Sequence, residues 1–138
     1  MSTRQRERLE KIQQIISKLA EEAAKGKSVV VEGKKDAQAL AELGVAGEVV
    51  TLKTGGKSYL QTLSIIEASG VGEVILFFDF DRRGEEATGL FKRELERLRI
   101  KVNTRFWFDL RALVSRDVQC IESLPGYLVT VRQKSESM

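Results

Sequence analysis

Two short, unbroken apolar runs constrain this chain more than any other feature. Val29-Val30-Val31 runs into Glu32-Gly33, and Val74-Ile75-Leu76-Phe77-Phe78 runs into Asp79-Phe80-Asp81. A strand covered on one face alternates apolar and polar residues, whereas a strand covered on both faces reads as a continuous apolar stretch. Strands of that kind belong to parallel sheets with helices on both sides, and ligands of such sheets bind just beyond the carboxyl ends of the strands. Here both apolar runs end in carboxylates.

The rest of the chain supplies the helices. Residues 3 to 25 predict an amphipathic helix, with Leu9, Ile12, Ile15, Ile16, Leu19 and Ala23 on one stripe and Gly26 as its stop. A strand at 28 to 32 then leads to a helix near 35 to 43 that ends around Gly44. A second strand at 48 to 52 leads through Thr54-Gly55-Gly56 to a helix near 57 to 68. The third strand, 73 to 78, precedes a helix near 84 to 98 carrying Leu90, Phe91, Leu95 and Leu98. A fourth strand at 101 to 107 and a short helical segment from Leu110 to Val114 follow. Pro125-Gly126 predicts a break, and the polar end from Gln133 predicts fraying. Strands alternating with helices imply a mostly parallel sheet of about four strands with right-handed crossovers. The expected organisation is one α/β domain over residues 1–138: an N-terminal helix (1–26), a core (28–108) and a C-terminal extension (109–138).

Composition narrows the chemistry. With 42% hydrophobic and 31% charged residues, and no apolar run approaching a membrane span, the expectation is a cytoplasmic protein without a membrane partner. Cys120 is the sole cysteine, which removes an intrachain disulfide and multi-cysteine zinc sites. Histidine is absent from the sequence, which removes imidazole bases and nearly all transition-metal sites. Any metal is therefore hard and oxygen-bound: Mg²⁺, Mn²⁺ or Ca²⁺. The net charge of +3 is uneven, because residues 92–116 hold eight basic side chains against Glu94, Glu96 and Asp109. Such an excess suits a polyanion, although solvated helix faces give similar runs.

Three carboxylates brought to one sheet edge repel one another unless a cation lies between them. Glu32 ends the first strand, and Gly33 predicts a sharp turn after it. Asp36 has two open readings, as a cap of the next helix or as a metal ligand. Asp79 and Asp81, one residue apart, converge on one cation in either a strand end or a tight turn. Gly84 opens the following helix, whose amides are then placed to face a phosphate. Lys34, Lys35, Arg82 and Arg83 follow directly on the acids, either to hold substrate phosphates or to balance the carboxylates. Trp107 and Phe108, near Arg105 and Arg111, read either as core or as a base-stacking pair. Gly55-Gly56-Lys57-Ser58 imitates a Walker A loop, but Thr51 stands where that motif needs glycine. That leaves an anion-binding turn with Lys57 on a phosphate, or a tight turn capped by Ser58.

Together these motifs resemble the Toprim domain, shared by type IA and type II topoisomerases, bacterial-type primases, overcoming-lysogenization-defect nucleases and a ribosomal RNA maturation nuclease. The resemblance rests on Val29 to Asp36, the Thr54-Gly55-Gly56 loop and Phe77 to Gly84, in the expected order over roughly 28–108. The whole chain looks like a small stand-alone Toprim protein of the archaeal or bacterial kind. The resemblance implies a Rossmann-like sheet, Glu32 as general acid/base, and Asp79 and Asp81 as Mg²⁺ ligands. Asp36 would match a further acidic position of the primase and maturase branches, and Asp109 could stand for another acid after the fourth strand. No appended domain supplies a topoisomerase tyrosine, Tyr59 and Tyr127 lack a nucleophile's context, and the zinc module of a primase is missing.

Two expectations follow for function. One is a Mg²⁺-dependent (or Mn²⁺-dependent) nuclease or nicking enzyme acting on DNA or RNA. It uses Glu32, Asp79, Asp81 and Asp36 at the ion, and Lys34, Lys35, Lys57, Arg82, Arg83, Arg105 and Arg111 on nucleic acid. The other is a non-catalytic Toprim module that binds DNA or RNA or docks on a larger processing assembly. A phosphatase of the haloacid-dehalogenase type also uses Asp-x-Asp, but near its first strand and before a small pair, whereas Arg82-Arg83 follows here.

Overall fold

In the computed structural model, residues 2–52 and 59–136 are described, with side chains to residue 134. Helix α1 (Thr3–Ala24) is opened by a Ser2/Gln5 capping box, and five of its six expected stripe residues are buried, Ile15 being half-buried. Then follow β1 (Ser28–Val31), α2 (Lys34–Glu42), β2 (Val49–Thr51), α3 (Tyr59–Ala68), β3 (Glu73–Leu76), α4 (Arg82–Arg97), β4 (Lys101–Asn103) and α5 (Arg105–Val114). A 3₁₀ turn (Ile121–Ser123) and α6 (Leu124–Glu136) close the chain. The α/β class, the Rossmann-like arrangement and the four-stranded parallel sheet agree with the reading of the sequence.

The strands run in the order β2-β1-β3-β4, all parallel, with Val29 opposite Val49 and Ile75 in register. Alternation along the buried strands divides the core. Val29, Val31, Ile75 and Phe77 face one side, where α1, α2, α5 and α6 pack. Val30, Val74, Leu76 and Phe78 face the other, covered by α3 and α4 through Leu63, Ile66, Phe91 and Leu95. The helix after β1 thus lies on the opposite face from those before and after β3. Right-handed crossovers require this when the chain steps first one way along the sheet and then the other. The gap between β1 and β3 is therefore the topological switch point, where open α/β sheets bind ligands.

Four boundaries differ from expectation. The β3 ladder stops at Leu76, although the Phe77 amide still donates to the Val30 carbonyl at 2.9 Å. Helix α4 starts at Arg82, two residues early. The fourth strand ends at Asn103, and residues 105–107 belong to α5. Phe106-Trp107-Phe108 is a short apolar run that periodicity cannot assign alone. Trp107, Leu110 and Val114, spaced three and four apart and all fully buried, make it a helix stripe. Finally, Pro125-Gly126 does not break the chain. Pro125 sits in the first turn of α6, where its missing N–H costs nothing, and the helix runs on through the polar end to Glu136.

Candidate metal centre

The acids that follow β1 and β3 lie at this switch point and divide into two roles, whereas Asp109, after the fourth strand, lies away from it against Arg105. Glu32, Asp36 and Asp79 each present a carboxylate oxygen, all within 4.8 Å of one another. Asp81 is the N-cap of α4, its Oδ1 accepting from the Gly84 amide at 2.8 Å. The geometric trio thus contains Asp36, while Asp81 stands beside it as a helix cap and a neighbouring negative charge.

Glu32 follows β1 directly and is half-buried, with the Arg83 guanidinium 3.8 Å from its Oε1. Asp36 occupies the third position of α2 and is 8% exposed. Its Oδ2 accepts from the Gly33 amide at 3.0 Å, so it ties down the helix start and faces the cluster at once. The helix-capping reading of Asp36 is thus met, and its carboxylate also lies with Glu32 and Asp79. The chain bends at Glu32-Gly33 as expected, but the bend does not depend on glycine. The Gly33 backbone is extended, with φ −144°, and an added Cβ would meet nothing closer than Asp36 Oδ2 at 4.0 Å.

The glycine that the site does require is Gly84. A Cβ there would lie 1.8 Å from the Asp79 carbonyl oxygen, so the first turn of α4 rests directly on the backbone of the acid. Its amide is taken by Asp81. Asp79 itself is held from two further sides. Its Oδ1 accepts from the Ile121 amide at 2.9 Å, and the Trp107 indole donates to the carbonyls of Phe78 at 2.8 Å and Asp79 at 3.3 Å. Burial, chiefly, pushes the Asp79 pKa from an ordinary 3.8 to about 6. The Ile121 amide works against that rise, and the nearby Asp36, Glu32 and Asp81 charges add to it.

The acids open into a cleft of about 350 Å³ lined by Glu32, Gly33, Lys34, Lys35, Asp36, Asp79, Cys120 and Glu122. Lys34, Lys35 and Arg83 thus stand at the acidic cluster, as their place in the sequence suggested. Arg82 lies beside it, strongly exposed and paired with Glu86 at 3.4 Å. Arg105 is elsewhere, paired with Asp109 at 3.6 Å and lining a groove of about 560 Å³ between α1 and α5 with Lys11 and Lys18. Arg111 stacks on Trp107 and pairs with Glu85 at 3.0 Å, which makes it a link between α5 and α4. Trp107 is fully buried and Phe108 half exposed. Lys57 lies outside the described residues. Cys120, Ile121 and Glu122 had no motif to announce them, because a carboxylate or amide that reaches a site from a distant turn leaves no local pattern.

The donor set suits a hard divalent cation: oxygen ligands only, three carboxylates close enough to share one ion, and a raised pKa that ion binding would relieve. A Rossmann-like sheet with Glu-Gly after one strand, Asp-x-Asp after its neighbour and acids meeting at the switch point defines a Toprim-type protein. The Toprim domain model matches residues 27–108, and the chain belongs to the Toprim domain family. Among its relatives is a UPF0292 protein of Methanocaldococcus jannaschii, 36% identical over 126 residues, which cover 91% of this chain and 95% of that protein. Another, from Thermococcus onnurineus, is 32% identical over 130 residues, covering 94% and 92%. A solved structure of a protein from Aquifex aeolicus superposes with a TM-score of 0.64 at 27% identity, covering 80% of this chain and 94% of that one.

Proposed function

We propose that the protein cleaves or nicks nucleic acid with the help of Mg²⁺, or Mn²⁺, held by Glu32, Asp36 and Asp79. The observation that carries this reading is the meeting of those three carboxylates at the switch point of a Toprim fold, with cations on the rim. A divalent ion held by these carboxylates would supply Lewis-acid chemistry toward a phosphodiester. The chain's own residues supply the rest. Arg83, Lys34 and Lys35 hold the flanking phosphates as charge-assisted donors. Glu32, at the edge of the cluster and against Arg83, takes or returns the proton of the attacking water. Asp81 keeps α4 in place and adds negative charge beside the ion.

The test is cleavage of single- and double-stranded DNA and RNA with Mg²⁺ or Mn²⁺. Asp79→Ala and Glu32→Ala are expected to abolish activity. Cleavage that survives both substitutions would overturn the proposal. Salt-sensitive binding without cleavage, unaffected by Asp79→Ala, would point instead to a module that grips nucleic acid for a larger assembly.

A further inference from the structure

Three successive residues at the end of β3 are each tied down from outside the strand. The Phe78 carbonyl accepts from the Trp107 indole, Asp79 Oδ1 accepts from the Ile121 amide, and the Phe80 amide donates to the Gln119 carbonyl at 2.7 Å. Two of these three partners come from residues 119 and 121, beyond the span that the family model matches. The same turn packs on α2, the helix that carries Asp36. It therefore touches the supports of two of the three clustered acids.

A carboxylate on so short a side chain turns about two bonds, and an ion reads the direction of its oxygens. We propose that the 3₁₀ turn at Ile121–Ser123 is a positioning clamp for the site, in which the Ile121 amide sets the direction of the Asp79 carboxylate and so the affinity for the ion. This rests on the reading of the cluster as a metal centre. Ile121 touches the ion only through Asp79 and is a positioning residue. Ordinary packing would need only the Ile121 side chain, which is fully buried against the core with Leu124 and Leu128. Positioning needs its N–H.

The local backbone allows the two needs to be separated. Cys120 is extended, at φ −120° and ψ 144°, as a residue before proline prefers, and Ile121 opens the turn, where proline fits. Ile121→Pro therefore removes the donor at small cost to the backbone. Ile121→Ala trims the side chain further yet keeps the N–H. Both variants of the full chain are expected to lose thermal stability. Ile121→Pro should weaken Mn²⁺ binding by about 10- to 100-fold, the usual effect of losing a group that orients a metal ligand. Ile121→Ala should bind Mn²⁺ like the unaltered protein.

Mn²⁺ binding is read by titration calorimetry or by the electron paramagnetic resonance of the free ion. Equal affinities in the two variants would overturn the clamp alone. An unaltered protein that fails to bind Mn²⁺ would overturn the metal centre and the clamp with it. Should Ile121→Pro not fold, amide exchange in the unaltered protein decides, because coupling is reciprocal and ion binding must tighten the bond that favours it. Saturating Mg²⁺ is expected to slow exchange of the Ile121 amide more than that of the α6 amides; an equal effect on both would overturn the clamp.

Discussion

Asp79 is an acid held in a setting that disfavours its charge. Its carboxyl binds a proton more tightly in the folded chain, at about 6, than at the ordinary 3.8, so the folded state holds the extra proton between those values. Stability without an ion therefore falls as pH rises from about 4 to about 6, and levels off above that. A shift of this size corresponds to at most about 3 kcal/mol, reduced because the group is only half-buried and water screens it. Asp79→Asn keeps the shape and an acceptor for the Ile121 amide while removing the charge. It is expected to raise the ion-free melting temperature at pH 8 and to change it little at pH 4, as calorimetric melts at the two pH values will read. The sequence places this residue at the end of an apolar run, but the Ile121 amide that holds its carboxylate lies 42 positions away.

At the scale of elements, the decisive junction is the one between β3 and α4. The helix starts where Asp81 caps it and Gly84 lets it lie on the Asp79 carbonyl. A second glycine of the same helix, Gly89, has nothing within 4 Å of an added Cβ. The two sites should respond in opposite directions to the same change. Gly89→Ala is expected to stabilise by up to about 1 kcal/mol, through helix propensity and a less flexible unfolded chain. Gly84→Ala is expected to destabilise by about 2 kcal/mol or more and to weaken Mn²⁺ binding, since the helix must move off the backbone of the acid. Urea denaturation of both variants checks the sign. The Asp-x-Asp-x-x-Gly spacing was visible in the sequence as a strand-to-helix turn. Its steric reason was not, because it lies in a backbone approach that no side-chain pattern encodes. The same holds for α5, where a helical stripe in Phe106-Trp107-Phe108 passed for the end of a strand until burial of Trp107, Leu110 and Val114 showed its period.

For the whole molecule, ion binding and folding are linked by mass action. An ion that binds only the folded chain raises stability by RT ln(1 + [ion]/Kd), about 2.7 kcal/mol at a hundredfold excess over Kd. Mg²⁺ and Mn²⁺ are expected to raise the melting temperature of the full chain, with an effect that shrinks as pH falls, because protons compete for Asp79. With its pKa at about 6, apparent affinity at pH 5 should be roughly tenfold below that at pH 7.5. Melts across Mg²⁺ concentration at both pH values test this, and a pH-independent rise would remove Asp79 from the ion's ligands. Among the described residues no helix is long and apolar enough to cross a membrane.

The sequence by itself determined the parts whose signal is local. Backbone geometry imposes periods of 2 and 3.6 residues on side-chain burial, so the doubly covered strands, the α1 stripe and the carboxylates at the strand ends could all be seen in order along the chain. Adjacency is not local. Only packing of the whole chain placed β1 beside β3 in the order 2-1-3-4, chose Asp36 to stand with Glu32 and Asp79 while Asp81 caps a helix, and drew residues 119–122 over the site. The acidic runs pointed to a cation because charges crowded at the end of a buried strand need a counter-charge. Which acids meet was decided by the packing of two cores, one on each face of the sheet.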